Sequence, residues 1–244
     1  MESLIIIFAA FALGGILKGA TGAGAPVLAI PVMAIYFDLP FAVTVYSIPN
    51  LAPNLWQSWA FRKDRLSLGF VAPFVVAGAL GAAIGTYMLT SISNEILSLV
   101  LAGAIGLYIV FRLLRPEWGL SLHRGKQMAF PVGILAGALQ GSSGLSAPIS
   151  LTFLTALHLE RKQFISTVSM FFVGLGLVQV PMLAGYGYLT PANFLLSCIA
   201  LIPLALFMPV GGLLVRHISR ERFNQIILGL LAVLSVKLVV EAVG

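Results

Sequence analysis

Residues 17–26 read LKGATGAGAP, and residues 139–148 read LQGSSGLSAP. Each stretch places glycines, a proline and polar side chains between two apolar runs of a very hydrophobic chain. In a bilayer, the backbone leaves the helical conformation only where it is buried in protein or lines a cavity. The two stretches therefore predict two broken helical hairpins, and these hairpins decide the fold.

The composition is that of an integral membrane protein. Of the 244 residues, 59% are hydrophobic and 9% are charged, with a mean hydropathy of +1.04. Soluble domains have about 25% charged residues. Long continuous apolar runs indicate membrane helices rather than a β-barrel. The net charge of +6 comes from basic residues between the apolar runs, so it does not indicate nucleic-acid binding.

Two pairs of apolar segments are short. Segments 3–17 and 25–37 flank the first glycine stretch, and segments 128–139 and 147–157 flank the second. A helix of about 12–15 residues rises only about 18–22 Å, so we expect that these arms do not span the membrane alone. The predicted fold is all-α, with two repeats, each a broken or re-entrant hairpin followed by three transmembrane helices. The predicted boundaries are 1–118 and 119–244, within one integral-membrane domain.

The two halves resemble each other in sequence. Segment 84–95 (IGTYMLTSISNE) resembles segment 210–221 (VGGLLVRHISRE), at an offset of 126 residues. Chance similarity between apolar segments is the alternative, but the matches recur in order at a nearly constant offset, which favours a repeat. In the glycine stretches the offset is 122, and the matched residues are Leu17, Gly19, Gly22, Ala25 and Pro26 with Leu139, Gly141, Gly144, Ala147 and Pro148.

Loop charges predict that the two repeats are inverted. If each hairpin enters and leaves on one side, each half crosses the membrane three times, and both termini lie outside. Loops 62–66, 112–127, 158–162 and 216–222 then share the inner face and hold twelve of the fourteen lysines and arginines, as the positive-inside rule requires. The alternative, eight spans with parallel halves, leaves five of these basic residues outside.

The hairpin tips are the candidate binding site. Helices that start near Ala25 and Ala147 would aim their N–H groups and positive dipole ends at the membrane centre, which favours an anion. Lys18 adds a positive charge where charge is expensive, and two asparagines lie four residues apart on the next helix. The candidate residues are Lys18, Gly19, Thr21, Gly22, Gly24, Asn50, Asn54, Gln140, Gly141, Ser142, Ser143 and Gly144.

Each of these assignments has a structural alternative. Lys18 could snorkel to the membrane surface, and the glycines and serines could serve helix packing. Asn50 and Asn54 could bind an ion or join helices, and the same ambiguity applies to Ser166, Thr167, Ser169 and Gln179. The sequence contains no metal-ligand spacing and no catalytic triad, so we expect a transporter without a cofactor rather than an enzyme.

Motifs KGATGAGAPVLAIP (18–31) and QGSSGLSAPISLTF (140–153) resemble those of the TauE/SafE family of membrane permeases. The resemblance covers nearly the whole chain. It implies a bacterial inner-membrane carrier of a small sulfur-containing anion, sulfite or an organosulfonate, so the termini that the loop charges place outside would lie in the periplasm. A homodimer is a separate expectation. An anion channel and a carrier of small carboxylates remain alternatives. Because Gln140 replaces the lysine of the first motif, we expect Lys18 to contribute more to binding than Gln140.

Overall fold

The computed structural model describes residues 2–21, 24–114, 119–217 and 220–243, and within these residues every regular element is helical. A short 3-10 turn, Arg62–Asp64, follows the third helix. The ten α-helices are α1 (Glu2–Thr21), α2 (Ala25–Tyr36), α3 (Leu39–Ala60), α4 (Leu68–Ser91), α5 (Asn94–Leu114), α6 (Leu122–Ser143), α7 (Ala147–Ala156), α8 (Arg161–Gly185), α9 (Pro191–His217) and α10 (Arg220–Val243).

Local sequence explains where the hairpin helices begin and end. Helices α2 and α7 both start with Ala-Pro, which puts proline in the first turn, where no helical N–H is needed. Helix α3 begins after Asp38, whose carboxylate accepts a hydrogen bond from Phe41 N at 2.6 Å. Helix α6 ends at Gly144, whose φ of +70° is a left-handed conformation that favours glycine.

The first arm of each hairpin is longer than predicted. Helices α1 and α6 continue to Thr21 and Ser143, so Lys18 and Gln140 lie within helices rather than in flexible turns. The 20 residues of α1 rise about 30 Å, which is enough to cross the hydrocarbon core. The prediction that this arm cannot span alone is therefore wrong. The second arms, with 12 and 10 residues, are short as predicted.

Several helices are suited to a lipid environment. Exposed apolar side chains form stripes at helical spacing, as at Leu80, Ile84 and Tyr87 on α4, which is the pattern of a lipid-facing helix. Helices α3 and α6 have 22 residues each but are not apolar enough to count among the candidate spans. Within the described residues, six helices are long and apolar enough to cross a membrane: Glu2–Thr21, Leu68–Ser91, Asn94–Leu114, Arg161–Gly185, Pro191–Leu214 and Gln225–Val243.

The helix boundaries keep the two sequence offsets. At an offset of 122 residues, α1 and α6 end at equivalent positions, and α2 and α3 begin where α7 and α8 begin. At an offset of 126 residues, α4 and α9 end at equivalent positions, as do the starts of α5 and α10. The extra residues therefore lie between the start of α8 and the end of α9.

Two helix pairs, α1 with α9 and α4 with α6, are packed through glycines. At each of these glycines, an added Cβ would collide with a backbone carbonyl oxygen of the opposite helix, so only glycine allows the close approach. The contacts of one pair correspond to those of the other through the same two offsets. The matched contacts are Gly15–Leu204 with Gly137–Gly78, Gly19–Met208 with Gly141–Ala82, and Gly211–Ile16 with Gly85–Ala138.

The buried apolar side chains form two cores. The first core is built mainly from α1, α2, α3, α5, α9 and α10, and the second from α4, α6, α7 and α8. Aromatic stacking joins α4 to α8 in the second core, where the rings of Phe74 and Phe171 are 4.1 Å apart. Each core therefore contains helices from both sequence halves. Helices α3 and α8 contact each other where the two cores meet, and we call this contact the α3–α8 seam.

Candidate functional site

Lys18 lies in a buried polar cluster with two residues of α3. Its Nζ is 3.4 Å from Asn54 Oδ1, and Asn54 Nδ2 donates to Asn50 Oδ1 at 3.2 Å and to Asn50 O at 2.7 Å. Lys18 is 4% exposed, Asn50 3% and Asn54 2%. The structure thus brings together three residues that the sequence analysis placed in the site. Lys18 points into the protein, which excludes the snorkelling alternative.

Charge compensation at Lys18 is incomplete within the described part of the chain. There, the ammonium group has no carboxylate partner, and Asn54 Oδ1 is its one hydrogen-bond acceptor. An ammonium group has three donors. Burying an unpaired charge costs several kcal/mol, so this position strongly favours a negatively charged partner.

Gln140 stabilises the turn of the second hairpin. Its Nε2 donates to Gly144 O at 2.9 Å, and its Oε1 accepts from Ser146 N at 3.1 Å. Both polar atoms of the side-chain amide therefore bond to the backbone of the hairpin itself. This turn reaches the first half of the chain, because a Cβ at Gly144 would meet the side chains of Ile30 and Val43.

The hydroxyl groups of the two glycine stretches bond to their own helices. Thr21 Oγ1 donates to Leu17 O at 2.8 Å, and the matching Ser143 Oγ donates to Leu139 O at 2.7 Å. Ser142 Oγ donates to the carbonyl of Ala138 at 2.9 Å. In this conformation each hydroxyl already donates a hydrogen bond to a carbonyl of its own helix. A ligand would have to replace that carbonyl as the acceptor.

The glycines of the candidate site divide between packing and turn geometry. Gly19 and Gly141 lie in the α1–α9 and α4–α6 contacts, which corresponds to the packing alternative. Gly24 precedes α2 and lies under the last turn of α1, where a Cβ would be 2.7 Å from Leu17 Cγ. Gly22 is outside the described residues. Their proposed role in substrate binding stays a prediction.

A cavity of about 310 Å³ opens at the other end of α3, between α2, α5 and α10. Its lining includes the acidic residues Asp38, Glu95 and Glu241. Three carboxylates disfavour an anion. Across the described residues, no group of three or more His, Cys, Asp or Glu side chains could hold a metal ion. The cavity therefore offers neither the anion site nor a metal centre.

Comparison with protein families decides the class of the protein. The family model described as "Sulfite exporter TauE/SafE" matches residues 6–238, nearly the whole chain. The chain belongs to the TauE/SafE family. It is therefore a membrane protein of a transporter family associated with sulfite and sulfur compounds. Neither the comparison with curated proteins nor that with solved structures gave a match.

In this TauE/SafE protein the α3–α8 seam carries further polar residues. The sequence analysis did not name Gln57, and it left Ser166, Thr167 and Ser169 open between ion binding and helix packing. Ser169 Oγ donates to Gln57 Oε1 at 3.2 Å across the seam. Gln57 follows Asn50 and Asn54 at i+7 and i+3, and this spacing on one helix face was the signal that could have identified it. On α8, Ser166 and Thr167 are fully buried, and no sequence pattern distinguishes them from packing residues.

Proposed function

We propose that this TauE/SafE protein is a secondary carrier that moves a small sulfur-containing anion, sulfite or an organosulfonate, across the bacterial inner membrane. The observation that carries the proposal is the buried Lys18 ammonium group with an amide oxygen, rather than a carboxylate, as its partner. An anion at this position would neutralise the charge and accept the remaining ammonium donors. Asn50 and Asn54 orient that group.

A carrier is supported over a channel by the burial of Lys18. A channel needs an open polar path to its selectivity elements, whereas Lys18 is 4% exposed. The two cores suggest how the protein could move, since each core can act as a rigid unit while the α3–α8 seam opens on alternate sides. The moving units would then be the two cores rather than residues 1–118 and 119–244.

Each of the two glycine contacts, α1–α9 and α4–α6, joins helices from different halves of the sequence. Their equivalence supports two repeats related by a two-fold axis. If α1 packs on α9, such an axis requires α6 to pack on α4, and both contacts use equivalent residues. With an odd number of crossings per repeat, this arrangement is an inverted repeat, with the basic loops in the cytoplasm and both termini in the periplasm. A homodimer stays a prediction.

The anion site is tested with Lys18→Met in proteoliposomes, measuring counterflow of radiolabelled sulfite. We expect transport to fall at least about tenfold, since a hydrogen bond from a charged donor contributes about 1.5–3 kcal/mol. The thermal stability of the variant without anion should not fall, because a buried charge is removed. Lys237→Met is the matched control, since Lys237 pairs with Glu241 and is 45% exposed. Wild-type counterflow in Lys18→Met would exclude Lys18 from the site.

Motion at the seam is tested by disulfide cross-linking after Cys198 is replaced by alanine. A Cβ at Gly176 would be 3.3 Å from Leu51 Cβ across the seam, and a Cβ at Gly174 would be 3.7 Å from Val75 Cβ within the second core. Both separations are close to disulfide geometry. We expect the 51–176 cross-link to stop counterflow and the 75–174 cross-link to preserve it. Normal counterflow with a closed 51–176 disulfide would rule out seam opening.

A further inference from the structure

Two hydroxyl groups on α8 have no hydrogen-bond partner although they are buried. Within the described residues, Ser166 Oγ and Thr167 Oγ1 are the two side-chain polar atoms with this property, and both residues are 0% exposed. Other buried hydroxyls bond to a carbonyl one turn earlier, as Thr44 does to Pro40 O at 2.7 Å, or across helices, as Ser169 does to Gln57 Oε1. Because an unsatisfied buried hydroxyl is destabilising, such a pair needs an explanation, and a bound ligand is one.

The two hydroxyls continue the polar line that starts at Lys18. From Lys18 the line passes to Asn54, then one helical turn along α3 to Gln57, and then across the seam to Ser169. Ser166 lies one turn before Ser169 on α8, which is about 4.5 Å along the helix axis, and Thr167 is the next residue. Polar groups that are in contact or about one helical turn apart therefore lead from the Lys18 cluster to Ser166.

This line leads towards the predicted cytoplasmic face. Helix α8 begins at Arg161, about 7.5 Å along the axis from Ser166. The turn Arg62–Asp64, which ends α3, contacts α8 in the same region. Residues 62–65 and 160–162 together carry five basic and two acidic residues: Arg62, Lys63, Arg65, Arg161 and Lys162 against Asp64 and Glu160. Their net positive charge would attract an anion to this end of the seam.

We propose that Ser166 and Thr167 form a second anion-binding subsite, through which the substrate passes between Lys18 and the cytoplasmic face. The assignment rests on the proposed anion carrier. Both hydroxyls can donate to an oxyanion, and no carboxylate belongs to the line between Lys18 and Ser166. A sulfite or sulfonate group has three oxygen atoms, so it can accept bonds from both hydroxyls at once. The two unpartnered hydroxyls are then the donors that a bound anion would occupy.

The test combines Ser166→Ala with Thr167→Val, which remove both hydroxyls with little change in shape. The purified variant is compared with the wild type for sulfite counterflow and for thermal unfolding, with and without sulfite. Loss of a hydrogen bond to an anion weakens binding roughly tenfold, so we expect the apparent KM for sulfite to rise at least about tenfold. Without sulfite, the unfolding temperature should stay the same or rise, because two unsatisfied polar groups are gone.

Two controls separate this subsite from general effects of polarity. Thr44→Val removes a buried hydroxyl at the position on α3 that matches Ser166, but Thr44 Oγ1 is already bonded to Pro40 O, so counterflow should remain normal. Thr86→Val on α4 is the second control, because Thr86 is also buried and its Oγ1 is bonded to Ala82 O at 2.7 Å, so counterflow should again remain normal. The subsite is contradicted if the double variant keeps the wild-type KM for sulfite.

The same experiment distinguishes failure of the subsite from failure of the carrier proposal. If wild-type protein shows no saturable counterflow of sulfite or an organosulfonate, the proposed function fails, and the subsite fails with it. If the wild type transports and Lys18→Met does not, while the double variant behaves as the wild type, the carrier stands and the subsite alone is rejected.

Discussion

Replacing Gly19 by alanine should destabilise the protein, although alanine is the better helix former. An added Cβ would collide with the backbone carbonyl oxygen of Met208 on α9. Because a backbone carbonyl cannot rotate away as a side chain can, α1 must shift. Overpacking typically costs about 1–3 kcal/mol, and we expect a loss of stability near the upper end of this range. The higher helix propensity of alanine offsets about 0.5–1 kcal/mol of this loss. The expected net loss in the free energy of unfolding is therefore about 2 kcal/mol.

Gly106 on α5 is the matched control. It lies in a helix interior, and a Cβ there would meet nothing within 4 Å, so Gly106→Ala should stabilise by about 0.5–1 kcal/mol. The two variants should differ by about 3 kcal/mol, or roughly 6–12 °C in unfolding temperature at this chain length. Thermal unfolding in detergent, followed by tryptophan fluorescence without anion, measures the difference. A Gly19→Ala protein that melts as high as Gly106→Ala would refute the close α1–α9 contact.

Three further outcomes are expected. Ser197→Ala should lower the free energy of unfolding by about 1 kcal/mol, since Ser197 Oγ donates to Val45 O at 2.7 Å, a carbonyl left without its helical partner by a proline of α3. Gly144→Ala should cost at least about 1 kcal/mol in thermal unfolding, because its φ of +70° is strained for a side chain. In intact cells without Cys198, an impermeant thiol reagent should label Ser93→Cys and spare Lys63→Cys; the reverse pattern would overturn the topology.

The sequence predicted the hairpin turns and the breaks between helices well. Proline after alanine fixed the starts of α2 and α7, because proline is favoured in a first helical turn. The repeat offsets of 122 and 126 residues recur in the helix boundaries. These predictions succeeded because each depends on local chemistry or on matched spacing.

The lengths of α1 and α6 could not be predicted in the same way. Glycine lowers helix propensity by about 1 kcal/mol, so Gly19 and Gly141 were read as parts of a break. In the structure both are helical, and each allows a close helix contact that larger residues would prevent. The same residue type thus marks a turn at Gly144 and a packed helix three residues earlier. Only the tertiary contact separates the two cases.

The close packing of helices from one half against helices of the other half limits how the protein can move. Gly15 and Gly19 lie one turn apart, a spacing typical of a close helix contact, but it does not identify α9 as the partner. Once α1 packs on α9 and α6 on α4, separating residues 1–118 from 119–244 would break two backbone-to-backbone contacts at once. The α3–α8 seam is held instead by side chains, such as Ser169 with Gln57 and Leu51 against Gly176. Side-chain contacts can re-form after a small displacement, whereas the glycine contacts have no alternative register. We therefore expect the substrate path to open along the seam, where the polar line from Lys18 already lies.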